Sequence, residues 1–201
     1  MNTSQSAIEL RPLGAVLVGG QSVRMGQDKA TLPYGGKTLA EAAADRLAPL
    51  TREVLFIGGP ETSWPGRHVA DIASGRGPLA GVAAALREGD VLVMACDLPH
   101  VPQRFLQELL TTRSGLDGAL YLGRTAGIQP LVALYRQSAL AVAEMTVHSD
   151  RPSMEAFVSQ ISVRRLDDED LTRLGLDATI FTNVNHPDDY RRLVGKELDH
   201  A

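Results

Sequence analysis

The sequence predicts an α/β fold, with a mostly parallel central sheet and helices on both faces. Three observations lead there. Short apolar runs alternate with stretches of helical spacing as far as Thr112, the pattern of strands joined by crossover helices. A glycine-rich loop carrying two cations, LVGGQSVRMGQDKAT from Leu17 to Thr31, follows the first apolar run. The most apolar run, Val91 to Ala95, ends in Cys96-Asp97-Leu98-Pro99. An aspartate therefore stands at the carboxyl end of a strand, where open α/β sheets gather their ligands.

Taken in order, Met1 to Arg11 is polar, lacks an apolar signal-peptide core and reads as a flexible tail. Residues 12–201 read as one domain, without repeats or a long linker. Leu13 to Val18 is a buried strand. Gly35-Gly36 is a turn after Tyr34. Leu39 to Leu50 has apolar residues at helical spacing and stops near Pro49. Glu53 to Ile57 is a strand closed by Gly58-Gly59-Pro60, Trp64 packs in the turn that follows, and His68 to Ala70 is a brief strand. Asp71 to Gly77 is a flexible loop. Pro78 suits the first turn of a helix running to about Arg87, and Gln103 to Thr112 is another helix. Ala119 to Leu122 and Leu131 to Tyr135 are strands with a turn at Gly123 to Gly127. Ser138–Thr146 and Ser153–Val158 read as helices and Ser162 to Leu166 as a late strand. The acidic run Asp167 to Asp170 is a solvated helix start. Asn183-Val184-Asn185-His186-Pro187 leads into a last helix, Asp188 to about Val194.

Composition narrows the function classes. The 201 residues are 44% apolar and 22% charged, ordinary values for a globular protein. A net charge of −4 gives no basic field for nucleic acid. No apolar stretch is long enough for a membrane span. One cysteine, Cys96, excludes an internal disulfide and suits a reducing compartment, so a cytoplasmic location is expected. The five histidines are scattered, which argues against a Cys/His zinc cluster.

The first loop carries the chemistry. Gly19, Gly20 and Gly26 permit tight turns and close approach of a ligand to the backbone. Arg24 and Lys29 suit a polyanion. The dinucleotide fingerprint fails because Gln21 stands where its next glycine belongs, and a P-loop ending at Gly36-Lys37-Thr38 would need a glycine at Thr31. Asp97 is either a Mg²⁺ ligand, completed by substrate phosphates and water, or a helix cap or salt-bridged loop aspartate. Gly77-Pro78-Leu79-Ala80-Gly81 opens a helix whose N–H groups can receive an anion or a base carbonyl. Gln129 and the pair Asn183 and Asn185 either line the same cleft or serve as turn and cap residues. Cys96 reads as a small buried side chain, and His148 and His186 as structural or exposed.

The run L-x-G-G-x-S-x-R-M-G-x-D-K, with GPLAG, C-D-L-P, QPLVALY and the closing N-V-N-x-P in this order, resembles the molybdenum cofactor guanylyltransferase family of the MobA type over nearly the whole chain. The resemblance implies a Rossmann-like nucleotidyltransferase fold. It implies transfer of GMP from MgGTP to molybdopterin or its molybdenum form, with release of pyrophosphate. Molybdoenzymes or their chaperones would be downstream partners. By the same resemblance, Leu17, Val18 and Gly19 contact the nucleotide through their backbone, with Gly20 beside them. Lys29 and Arg24 bind phosphates, Asp97 binds Mg²⁺, and Asp71 touches the nucleotide; Pro78 and Leu79 are nucleotide candidates from their place at the helix start. Asn183 and Asn185 lie on the pterin side. This chain departs from the pattern in Val18 for Ala, in His186 for Thr, and in Ile57-Gly58-Gly59 where the family often has Asn. Cytidylyl transfer to the same acceptor, guanylyl transfer to another small phosphate, and a non-catalytic nucleotide-binding module are the alternatives.

Overall fold

The computed structural model describes residues 11–19, 28–59, 64–112 and 115–198. The expected tail therefore lies outside the described residues except for Arg11, which donates to the Pro49 carbonyl at 2.9 Å. The strands are β1 (Leu13–Leu17), β2 (Pro33–Tyr34), β3 (Lys37–Thr38), β4 (Val54–Ile57), β5 (Arg67–Val69), β6 (Val91–Ala95), β7 (Gly118–Gly123), β8 (Gly127–Tyr135) and β9 (Val163–Leu166). The helices are α1 (Leu39–Leu47), α2 (Pro78–Glu88), α3 (Gln103–Leu110), α4 (Leu140–Val147), α5 (Met154–Val158), α6 (Asp168–Arg173) and α7 (Pro187–Leu198).

Seven strands form one sheet of order β5-β4-β1-β6-β8-β7-β9. β8 alone runs against its neighbours, so the sheet is mostly parallel, as expected. β1 and β6 are buried along their whole length, because helices cover both faces. Their side chains still alternate. Val16, Leu92 and Met94 join one core with α1, α3 and Phe181. Ala15, Leu17, Val91 and Val93 join the other with α2, α4 and Phe157.

Local chemistry sets the helix ends. Thr38 caps α1 in a reciprocal box with Glu41, whose carboxylate accepts the Thr38 N–H at 2.7 Å. α1 stops at Leu47, earlier than expected, and a 3₁₀ turn at Ala48–Leu50 carries Pro49. α2 starts at Pro78 after Gly77, whose φ of 70° favours glycine, and is buried from Leu79 to Leu86. Small alanines let it lie close between the sheet and α4. Asp167 caps α6, as its acidic start suggested. Trp64 stacks on Phe56 at 5.3 Å.

Two further features differ from expectation. Gly35-Gly36 is a turn, but it joins the short hairpin β2–β3, which the sequence pattern does not announce. β8 begins at Gly127 rather than Leu131 and so contains Pro130. Its pairing with β7 jumps from Tyr121↔Gln129 to Leu120↔Ala133. Pro130 thus falls in an irregularity where the β7 ladder needs no N–H from it.

The closest approach of another strand's backbone is at Gly118, where a Cβ would stand 2.2 Å from the Leu134 carbonyl oxygen. Gly118→Ala is expected to destabilise the protein by ~1–3 kcal/mol, the usual range for overpacking. A denaturation midpoint equal to the parent's would show that the β7–β8 pair yields without strain.

Candidate active site

In the parallel core, Leu17 stands opposite both Ile57 and Ala95. The loops after β1, β4 and β6 therefore leave the sheet at one level. The first two nearly touch. The N–H groups of Val18 and Gly19 donate to the Ile57 carbonyl at 3.0 and 3.2 Å. A Cβ on Gly19 would stand 2.8 Å from the Gly59 nitrogen, and one on Gly59 3.0 Å from the Val18 oxygen. With those N–H groups engaged, Val18 and Gly19 offer a ligand carbonyl oxygens rather than donors. Gly20 and Arg24, both expected at the site, lie outside the described residues.

Lys29 opens a 3₁₀ turn, Lys29–Thr31, anchored by buried Ala30 and capped by Asp28, which accepts the Ala30 N–H at 3.0 Å. From there the Lys29 ammonium reaches Asp97 Oδ2 at 3.3 Å and donates to Asn185 Oδ1 at 2.7 Å. The Lys29 and Asp97 side chains are 18% and 23% exposed, so the pair is sheltered but open to a ligand. The Asp97 carbonyl accepts the Val184 N–H at 2.9 Å, which docks the closing turn onto the end of β6. Val184 is buried between exposed Asn183 and half-buried Asn185.

Three adjoining clefts meet at Pro78. The middle one, about 220 Å³, is lined by Val18, Asp28, Lys29 and Asp97. On one side a cleft of about 550 Å³ is lined by Leu17, Gly19, Asp71, Gly77 and Gly81. On the other, one of about 430 Å³ is lined by Leu79, Asp97, Gln129, Ser153 and Asn183. Asp97 is thus shared by the middle and third clefts. The Gln129 amide donates to the Ala126 carbonyl at 2.7 Å, fixing the β7–β8 turn as well as lining the third cleft.

The glycines after β4, where the family resemblance leads one to expect Asn, have a structural counterpart. Gly58 has φ of 74°, and a Cβ there would stand 2.7 Å from Asp71 Oδ1. Asp71 fills the space that a side chain at position 58 would take, and it also abuts Gly81, whose Cβ would stand 3.0 Å away. Burial holds the Asp71 carboxyl above the ordinary carboxylate value, with His68 acting in the opposite direction.

Burial pushes the Cys96 thiol well above its ordinary value, and the charges of Asp97 and Asp28 add to the effect. It is a protonated core side chain, as its sequence context suggested. His148 and His186 are exposed. Two residues escape the sequence reading: Asp28, and Asp189, whose carboxylate accepts the Asn185 and His186 N–H groups at 3.1 and 2.9 Å. An acid three residues after a turn residue at a helix start is a capping signal that points to Asp189.

Residues 14–173 match the family model described as the MobA-like NTP transferase domain. The chain belongs to this family. It is a nucleotidyltransferase, on the fold the sequence predicts. A probable molybdenum cofactor guanylyltransferase of Carboxydothermus hydrogenoformans is 33% identical, over 90% of this chain and 93% of its own length. Another, of Pelotomaculum thermopropionicum, is 31% identical over 90% of each. The crystal structure of molybdopterin-guanine dinucleotide biosynthesis protein A from Archaeoglobus fulgidus superposes with a TM-score of 0.80 at 26% identity, covering 93% of this chain and 99% of that one. The match to the family model ends before the turn that carries Asn183 and Asn185.

Asp71 gives a stability prediction with a defined sign. Its carboxyl is raised above 3.8 in the folded protein, so the unfolded chain holds fewer protons above that value. Stability therefore falls as pH rises through the window between the two values. Asp71→Asn removes this penalty. Its thermal midpoint should exceed the parent's at pH 7, and the gap should narrow as pH is lowered toward 3.8. A lower midpoint at pH 7 would mean that a partner stabilises the ionised carboxylate.

Proposed function

We propose that this chain transfers GMP from GTP to molybdopterin or its molybdenum form, releasing pyrophosphate and making the guanine dinucleotide cofactor. The observation that carries the reading is the middle cleft, where Lys29 and Asp97 face each other between a cleft with one half-buried carboxylate and a cleft that carries the amides of Gln129 and Asn183. The names of the guanylyltransferase relatives support it. Guanine presents N1–H and N2–H side by side, and the two oxygens of Asp71 accept such a pair. Cytosine and adenine lack that pair, and the wrong base leaves the carboxylate unsatisfied. Gln129 and Asn183 present amides to the pterin ring.

Mg²⁺ fits the donor set. Among the described residues no group of three or more His, Cys, Asp or Glu could hold a metal ion. Asp97 offers one hard carboxylate at the shared wall, and Mg²⁺ takes one or two carboxylates with water and substrate phosphates completing its shell. When bound, the ion supplies neutralising charge for the phosphates. Lys29 holds the triphosphate in line with the acceptor. An acceptor phosphate oxygen forms the new bond to the α-phosphorus, and the bond to the bridging oxygen of pyrophosphate breaks. The attacking acceptor oxygen is already anionic near neutral pH, so the step needs no general base. Catalysis is alignment and charge neutralisation. Both substrates are small, soluble anions, and we place the reaction in the cytoplasm; among the described residues no helix is long and apolar enough to cross a membrane.

The test is pyrophosphate release from GTP and molybdopterin as Mg²⁺ is varied. Asp97→Asn should lower turnover on the order of 10²–10³-fold, the loss typical of one electrostatic stabiliser. Near-parental turnover at low Mg²⁺ would place the metal on another residue. Asp71→Asn should narrow the preference for GTP over CTP. Equal parental turnover with CTP would make this a cytidylyltransferase.

A further inference from the structure

We propose that Asn185, which the family resemblance puts on the pterin side, is instead a positioning residue for Lys29. It would hold the ammonium at the phosphate cleft by a neutral hydrogen bond, so that Asp97 is released to the metal ion. The inference rests on the reading that Lys29 binds triphosphate and Asp97 binds Mg²⁺.

Three observations carry it. First, the amide oxygen of Asn185 is nearer to the ammonium than the carboxylate is, 2.7 Å against 3.3 Å. Second, Asn185 is fixed from below. Its N–H and that of His186 donate to the Asp189 carboxylate, Val184 beside it is buried, and the Val184 N–H donates to the Asp97 carbonyl. Third, α7, which follows this turn, also grips the segment after Lys29. The Tyr190 hydroxyl donates to the Pro33 carbonyl at 2.6 Å, and Leu193 is buried in the same core as Ala30 and Leu32. The end of the chain thus holds the Lys29 turn at two points.

The chemistry of the partner matters as much as the geometry. A divalent ion on Asp97 would repel the ammonium that now sits against the same carboxylate. A lysine has four side-chain torsions and loses much rotamer freedom when held in place. A second carboxylate would hold Lys29 but cancel the charge needed by the triphosphate. An amide oxygen holds it and leaves the charge intact.

The experiment is calorimetry of GTP with Mg²⁺ and no acceptor, on the full chain, for the parent, Lys29→Ala, Asn185→Ala and the double variant, with thermal midpoints alongside. Asn185→Ala keeps the backbone bonds to Asp189. It should weaken GTP binding ~10-fold, as loss of a hydrogen bond to a charged group does. In Lys29→Ala the same change should have almost no further effect. In turnover, the KM for GTP should rise while that for the acceptor stays at the parental value. Asn185→Asp, which keeps the shape but cancels charge, should hold or raise the thermal midpoint and still weaken GTP. Parental GTP affinity in Asn185→Ala, with Lys29→Ala impaired, would overturn the positioning role and leave the proposed function standing. Full additivity, or a rise in acceptor KM alone, would also overturn it, because Asn185 would then touch a substrate directly. Parental affinity in Lys29→Ala would overturn the phosphate role of Lys29 itself.

Discussion

The register of three parallel strands is the constraint on which the rest depends. Because β4 and β6 flank β1 with Leu17 opposite both Ile57 and Ala95, three loops are delivered to one edge at one height. Parallel pairing also requires covering crossovers, and these put helices on both faces and free that edge for ligands. The crowding has a local consequence. Where the β1 and β4 loops meet, a Cβ at position 19 or 59 would come within 2.8 or 3.0 Å of the other loop's backbone, so both positions are glycine.

Charge is arranged in two ways along that edge. In the middle cleft, Lys29 and Asp97 compensate each other until substrates arrive. In the neighbouring cleft, Asp71 is half-buried with its proton affinity raised. The first arrangement balances charge within the cleft; the second leaves a half-buried carboxylate whose burial costs some stability. Perturbed carboxylates in clefts commonly mark such sites.

Much of this was legible because the signals were local. β1 and β6 are unbroken apolar runs, since both of their faces are covered. Lys29 follows its glycines closely, and Asp97 ends its strand. Other features depend on pairing across space. β2 and β3 have two residues each and exist only as partners. The start of β8 was hidden by Pro130, which argues against a strand unless the bulge is known. The contact of Lys29 with Asn185 spans 156 positions, and no periodicity announces it. Family resemblance implies a nucleotide contact for Asp71, but its fit to Gly58 is visible only in three dimensions.

That fit constrains the order in which the two positions can change. A side chain at 58 and a carboxylate at 71 compete for one volume, so neither substitution can be judged without the other. Introducing an Asn at position 58 would first have to displace Asp71, and shortening Asp71 alone would leave a hollow at the glycine. The pair is therefore epistatic. A lineage crossing from one arrangement to the other passes through an intermediate that is either overfilled or underfilled, which helps to keep each solution in place once it has arisen.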